Sequence, residues 1–312
     1  MADDPGSSAP RPAYARDSMM LSLGSTVSLD DLSPQWAWGG ATGAGVRIAV
    51  IDSGIEAGHE HLGDSIAVDD GVAVTVTDDG EVIEIPGNHD DDIGHGTACA
   101  SIIHAFAPQA KITSFKVMGQ GVSGKAAAFL RALGLAIERG YDVINLSLGT
   151  GKRDWALPFY EVCDHAYFRG SLIVTAANNT DRPSFPSLYA SVVSVACNVA
   201  TQPFRFHYNP DPPTEFLARG IDVDVAWRGG TYIRATGNSF AAPHISGIAA
   251  LVRSKHPELR PFQVKAVLYA TSANVREAEQ PAPAGRRATI SRAVTMSPRA
   301  TSALRAVGSG PA

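Results

Sequence analysis

Three side chains in separate parts of the sequence, Asp52, His95 and Ser239, are of the types needed to activate a hydroxyl. A serine hydroxyl is a poor nucleophile until a base takes its proton, and a neutral imidazole is the base at hand near pH 7. A carboxylate on the other ring nitrogen would fix the tautomer and stabilise the imidazolium that forms. Taken singly, each residue has an ordinary reading. Ser239 could simply cap a helix, Asp52 could close a turn after a strand, and His95 is one of nine histidines. The chemistry therefore depends on whether the surrounding elements bring the three together.

Those elements can be read from the apolar pattern. Val46-Arg47-Ile48-Ala49-Val50-Ile51 predicts a strand ending at Asp52-Ser53-Gly54. Gly94-His95-Gly96-Thr97 leads into a helix predicted over 97–105, and Gly237-Asn238-Ser239 into an apolar helix reaching about Ser254. Pro243 is expected in the first turn of that helix, where a missing N–H has no partner to lose. The helix start would offer free N–H groups to a developing oxyanion. Strands are predicted at 111–117, 143–147, 172–176 and 192–197, with helices at 126–139, 157–168 and 261–270. Apolar strands alternating with helices imply a three-layer α/β/α fold with a mainly parallel central sheet. In such sheets ligands bind at the carboxyl ends of the strands, which is where Asp52 lies.

At 312 residues the chain can bury one large core. Residues 1–28 are expected to be a flexible segment, 29–275 one domain, and 276–312 a low-complexity tail with one short element near 288–294. Within the domain, 64–93 reads as an acidic insertion carrying a hairpin around Asp79-Gly80. A net charge of −5 gives no reason to expect a nucleic-acid partner, and no apolar run has the length of a membrane span. The Gly39–Gly45 loop precedes a strand rather than following one, which argues against a dinucleotide turn. Cys99, Cys163 and Cys197 form neither a disulfide framework nor a zinc pattern. With no secretory signal at the N-terminus, a cytoplasmic location is expected.

The local sequences carry more than the residue types. Val50-Ile51-Asp52-Ser53-Gly54-Ile55, Gly94-His95-Gly96-Thr97 and Gly237-Asn238-Ser239-Phe240-Ala241-Ala242-Pro243-His244 resemble, in this chain order, the Asp, His and Ser motifs of the subtilisin-like serine proteases. The resemblance covers about residues 29–273. It implies a subtilisin-like fold and a serine endopeptidase with Ser239 as nucleophile, His95 as general base and Asp52 orienting it. It also implies Asn179 as oxyanion donor, with Asn178 the alternative if the alignment slips by one. Ser147, Leu148 and Gly149 on one side, and Val122 and Gly124 within 118–124 on the other, would hold an extended peptide or protein substrate between two strands. A monomer without cofactor, nucleic acid or membrane is expected.

Several positions depart from the family. Asn178 stands where the family usually has Gly, a change Asn would tolerate if φ is positive, and Asn238 replaces the Thr before the nucleophile. These two substitutions support the alternative reading, a catalytically weak peptide-binding module. Cys99, one helical turn after His95, would set a thiol beside the catalytic ring. His61 stands where secreted relatives have a calcium-ligating Asp, and the loop after His104 is short, so no metal is expected. The remaining aspartates of 69–92 read as a solvated acidic face, although Asp91 and Asp92, just before His95, would favour basic substrate residues. About 25 to 30 residues precede the resemblance, so the chain is expected to be either a mature fragment or one that folds without a pro-segment; with no signal peptide and free cysteines, an intracellular processing protease is expected, for example one that removes a leader from a precursor peptide.

Overall fold

β1 (Arg47–Asp52) is apolar on both sides because it lies at the middle of a covered sheet. Ile48 and Val50 enter one core cluster, and Ala49 and Ile51 the other. That period-two division sets up three layers. On one face pack α1 (Pro34–Trp38), α2 (His95–Phe106), α5 (Asn238–Lys255) and α6 (Pro261–Thr271). On the other pack α3 (Ala126–Glu138) and α4 (Ala156–Arg169). The structure is a computed structural model that describes residues 31–87, 89–119, 125–180, 182–199 and 202–279. Val122, Gly124, the segment 1–28 and the expected element near 288–294 lie outside the described residues.

Among the described residues the sheet has nine strands in the order β3-β2-β4-β1-β5-β6-β7-β9-β8. They are β2 (Val72–Val76), β3 (Val82–Pro86), β4 (Lys111–Lys116), β5 (Val143–Leu146), β6 (Leu172–Ala176), β7 (Val193–Asn198), β8 (His207–Tyr208) and β9 (Phe216–Arg219), with β1 near the centre. From β2 to β9 every pairing is parallel, and only the edge strands β3 and β8 run antiparallel. A separate hairpin, β10 (Val223–Trp227) with β11 (Thr231–Ala235), packs beside α2. The fold is the mainly parallel α/β/α arrangement expected from the sequence.

The hairpin expected within 64–93 forms as β2 and β3, and β2 pairs with β4 through Val72↔Phe115 and Ala73↔Lys116, so the hairpin extends the central sheet. Two further readings of the sequence need adjustment. The region 202–235, for which the apolar pattern predicts no element, holds β8 to β11, short strands with polar residues between apolar ones. The boundary expected at 275 falls within α7 (Ala273–Glu279), the last helix among the described residues. Arg276 donates to the Leu32 carbonyl (3.1 Å) and Glu277 pairs with Arg205 (2.6 Å), which ties that helix to the fold.

Candidate active site

Asp52 ends β1 and is buried, with a relative exposure of 1%. Its Oδ1 accepts the Ser53 N–H (2.8 Å) and lies 2.7 Å from His95 Nδ1. His95 is the first residue of α2, two positions earlier than the apolar pattern predicts. Its placement depends on Asp91, which the sequence reading assigned to the substrate. Asp91 is buried, and its Oδ1 accepts the Ile93 and Gly94 N–H groups and the Ser53 hydroxyl, at 3.0, 2.7 and 2.7 Å. Its Oδ2 accepts both the N–H and the hydroxyl of Thr97, each at 2.8 Å. One carboxylate thus satisfies the orphan donors of the helix start. Asp92 is likewise occupied, 2.7 Å from Lys116 Nζ. Buried and bound within its own turn, Asp91 is not free to select basic residues.

Two glycines make the close approach possible. A Cβ on Gly96 would sit 2.1 Å from the Gly54 carbonyl oxygen, and Gly94, at φ 108°, carries the Trp227 indole against its Cα. The β10–β11 hairpin therefore buttresses the turn that presents His95. Burial opposes charging this ring, but the adjacent Asp52 carboxylate outweighs it, so the His95 pKa is raised above its ordinary 6.5.

Ser239 is the second residue of α5. Pro243 is the sixth, beyond the first turn, so a helix bond is lost after all: the Ser239 carbonyl has no i+4 donor. Ser147 Oγ supplies one instead at 3.0 Å, with the Cys99 thiol at 3.6 Å. Asn145, held by Ser246 (2.9 Å), donates in turn to Ser147 Oγ (3.1 Å). This buried polar chain beneath the serine joins β5 to α5 and was not visible as a motif. The Phe240 ring leans on His95 with centroids 5.3 Å apart. Among the described residues, no hydrogen bond joins the Ser239 hydroxyl to His95. Catalytic hydrogen bonds are often loose without substrate and tighten when it binds.

Cys99 sits under the pair, 3.7 Å from Asp52 Oδ2 and 4.0 Å from His95 Nδ1. Burial pushes its thiol pKa up, which keeps it protonated. Among the described residues, Asp52, His95 and Cys99 are the one group of three metal-type ligands lying close together, and their donor atoms already engage one another.

Beside Ser239 lies a cleft of about 170 Å³ whose lining includes Ser147, Leu148, Gly149, Asn179 and Ser184. No charged side chain lines it among the described residues. Asn178 also lines the cleft, but its side chain is engaged within its own loop: its amide donates to the Arg182 carbonyl (3.0 Å) and accepts from Thr180 N–H (3.2 Å). Its φ is not positive; among the described residues Asp222 is the one non-glycine with positive φ. Asn179 Oδ1 accepts the Asn238 N–H at 3.0 Å. The geometry thus brings Asp52, His95, Ser239, Asn179 and 147–149 to one end of the sheet.

Known proteins resemble this chain over most of its length. The sequence profile of the Subtilase family (peptidase S8) matches residues 43–292. Subtilisin DY of Bacillus licheniformis is 31% identical over 251 residues, which cover 76% of this chain and 86% of that protein. Subtilisin E of Bacillus subtilis (strain 168) is 32% identical over 249 residues, 75% of this chain but only 62% of that longer protein. Among solved structures, the crystal structure of a lanthipeptide protease superposes with a TM-score of 0.59 at 25% identity, covering 70% of this chain and 77% of that one.

Proposed function

This chain belongs to the subtilase family and is a serine endopeptidase, and on that premise we propose that Asp52, His95 and Ser239 are its catalytic triad. The observation that carries this reading is the 2.7 Å contact from Asp52 Oδ1 to His95 Nδ1 on a helix that packs against the one bearing Ser239. In the proposed cycle, His95 Nε2 takes the Ser239 proton as Oγ attacks the scissile carbonyl. It then returns that proton to the leaving amine. Water deacylates the Ser239 ester by the same path in reverse. Asn179 Nδ2 and the Ser239 N–H donate to the tetrahedral oxyanion. An extended peptide lies along 147–149, and the uncharged cleft suits an uncharged side chain on the acyl side of the cut.

The physiological task we infer is leader or precursor cleavage in a reducing compartment. Three free cysteines support the compartment, and the likeness to a lanthipeptide protease supports the substrate class. Mass spectrometry of products from a library of precursor peptides tests both levels. Specific cuts that vanish in Ser239→Ala and in His95→Ala are expected. Unchanged cutting by either variant would sink the triad, and indiscriminate cutting throughout denatured proteins would sink the processing role.

A further inference from the structure

Asn238, the residue immediately before the proposed nucleophile, is buried at 8% exposure and fully engaged through its side chain. Its Oδ1 accepts the Cys197 N–H on β7 at 2.8 Å. Its Nδ2 donates to two carbonyls, those of Ala177 (3.2 Å) and Asn178 (3.0 Å). All three partners are backbone groups that can only donate or only accept, so a carboxamide fits in one orientation and a carboxylate does not fit at all. A threonine hydroxyl has a single hydrogen and could satisfy only one of the two carbonyls.

The two carbonyls belong to the residues leading into Asn179, and the Asn238 backbone N–H holds Asn179 Oδ1 at 3.0 Å. One residue therefore grips the 177–179 loop from both sides. With its oxygen anchored, the Asn179 amide is left with Nδ2 as its free end. Among the described residues that nitrogen has no protein partner, and Asn179 shares its cleft with Ser239. A nearby rigid support is also present, since Ala177 N–H bonds the Val195 carbonyl at 2.8 Å.

We propose that Asn238 is a positioning residue, whose carboxamide clamps the Ala177–Asn178 carbonyls and so aims Asn179 at the oxyanion. The proposal rests on the reading of Asn179 as the oxyanion donor. It inverts the sense of the Thr-to-Asn departure: the asparagine holds the oxyanion loop in place and is not a mark of weakened catalysis.

A double-mutant cycle on the full chain tests it, with kcat and KM measured on a peptide amide for wild type, Asn179→Ala, Asn238→Ala and the double variant. Asn179→Ala should lower kcat by about 10²–10³, as loss of this donor does in subtilisin itself. Asn238→Ala should lower kcat by about tenfold or more while KM stays within about twofold, because only a transition-state interaction is lost. The double variant should be no slower than Asn179→Ala alone. Asn238→Thr should fall between wild type and Asn238→Ala, and it carries the cycle if Asn238→Ala does not fold. Equal kcat losses from the Asn238 change with and without Asn179, or a rise in KM at constant kcat, would overturn the clamp. If Asn179→Ala itself left kcat unchanged, the oxyanion reading would fall, and the clamp with it.

Discussion

In the proposed cycle His95 must be neutral to take a proton from Ser239, and its neighbours hold it in the charged form to higher pH than usual. Asp52 raises the ring pKa above 6.5, so kcat/KM should climb with pH through a value above 6.5. Asp52→Asn removes the charge that raises it. That variant should shift the acid limb downward and lower kcat by about 10⁴, through loss of the correct tautomer. A pH–rate profile of the two proteins checks both effects, and an acid limb at the same pH in each would contradict the assignment. The proposed triad was legible in the sequence because each member lies in a short, locally distinctive stretch. The partners that fix those members were not. Asn238 acts on a loop 59 residues away, and Asp91 looks like one more member of an acidic run until its five donors are seen.

At the scale of elements, the catalytic end of the sheet depends on how three of them terminate. β1 stops at Asp52, α2 starts on a carboxylate-bound turn, and α5 starts with a carbonyl that Pro243 has freed for Ser147. Asp91→Ala leaves three N–H groups and two hydroxyls at the start of α2 without their acceptor. It should lower unfolding free energy by about 3 kcal/mol, measured in urea, and reduce kcat more than KM because His95 loses its platform. Asp92→Ala, which breaks a half-exposed ion pair with Lys116, should cost well under that, about 1 kcal/mol or less. Equal losses from the two would deny Asp91 its capping role. Strand and helix types were readable from the apolar runs at β1 and β4 to β7 because those strands are covered on both faces, and β2 and β3 showed as a hairpin pattern around Asp79-Gly80. The β8–β11 region escaped because its strands are short and partly exposed, and a half-polar strand of four or five residues has little pattern to read.

For the whole molecule, the buried His244 links the fold to pH. It lies in α5 with Nδ1 2.8 Å from the Phe240 carbonyl and its ring against Phe106. Burial is the main cause that lowers its pKa to about 4. The unfolded ring takes up a proton below about 6.5 and the folded one does not, so stability is fully present above that pH. It should be lost progressively as pH falls from 6.5 towards 4, by about 3 kcal/mol for this group. Urea unfolding at several pH values, for wild type and His244→Gln, should show a smaller acid loss in the variant; identical slopes would rule His244 out as the cause. The general architecture was legible because one large core is built from alternating strands and helices. The merging of the acidic hairpin into that sheet was not, since strand pairing across β2 and β4 depends on contacts distant in sequence.

The central claim, that Ser239 is a nucleophile activated by His95, is tested most directly by intact-protein mass spectrometry after treatment with a fluorophosphonate. A single adduct that maps to Ser239, and that fails to form at the same rate in folded His95→Ala, is predicted. A folded wild-type protein that takes no label, or takes it elsewhere, would contradict the account.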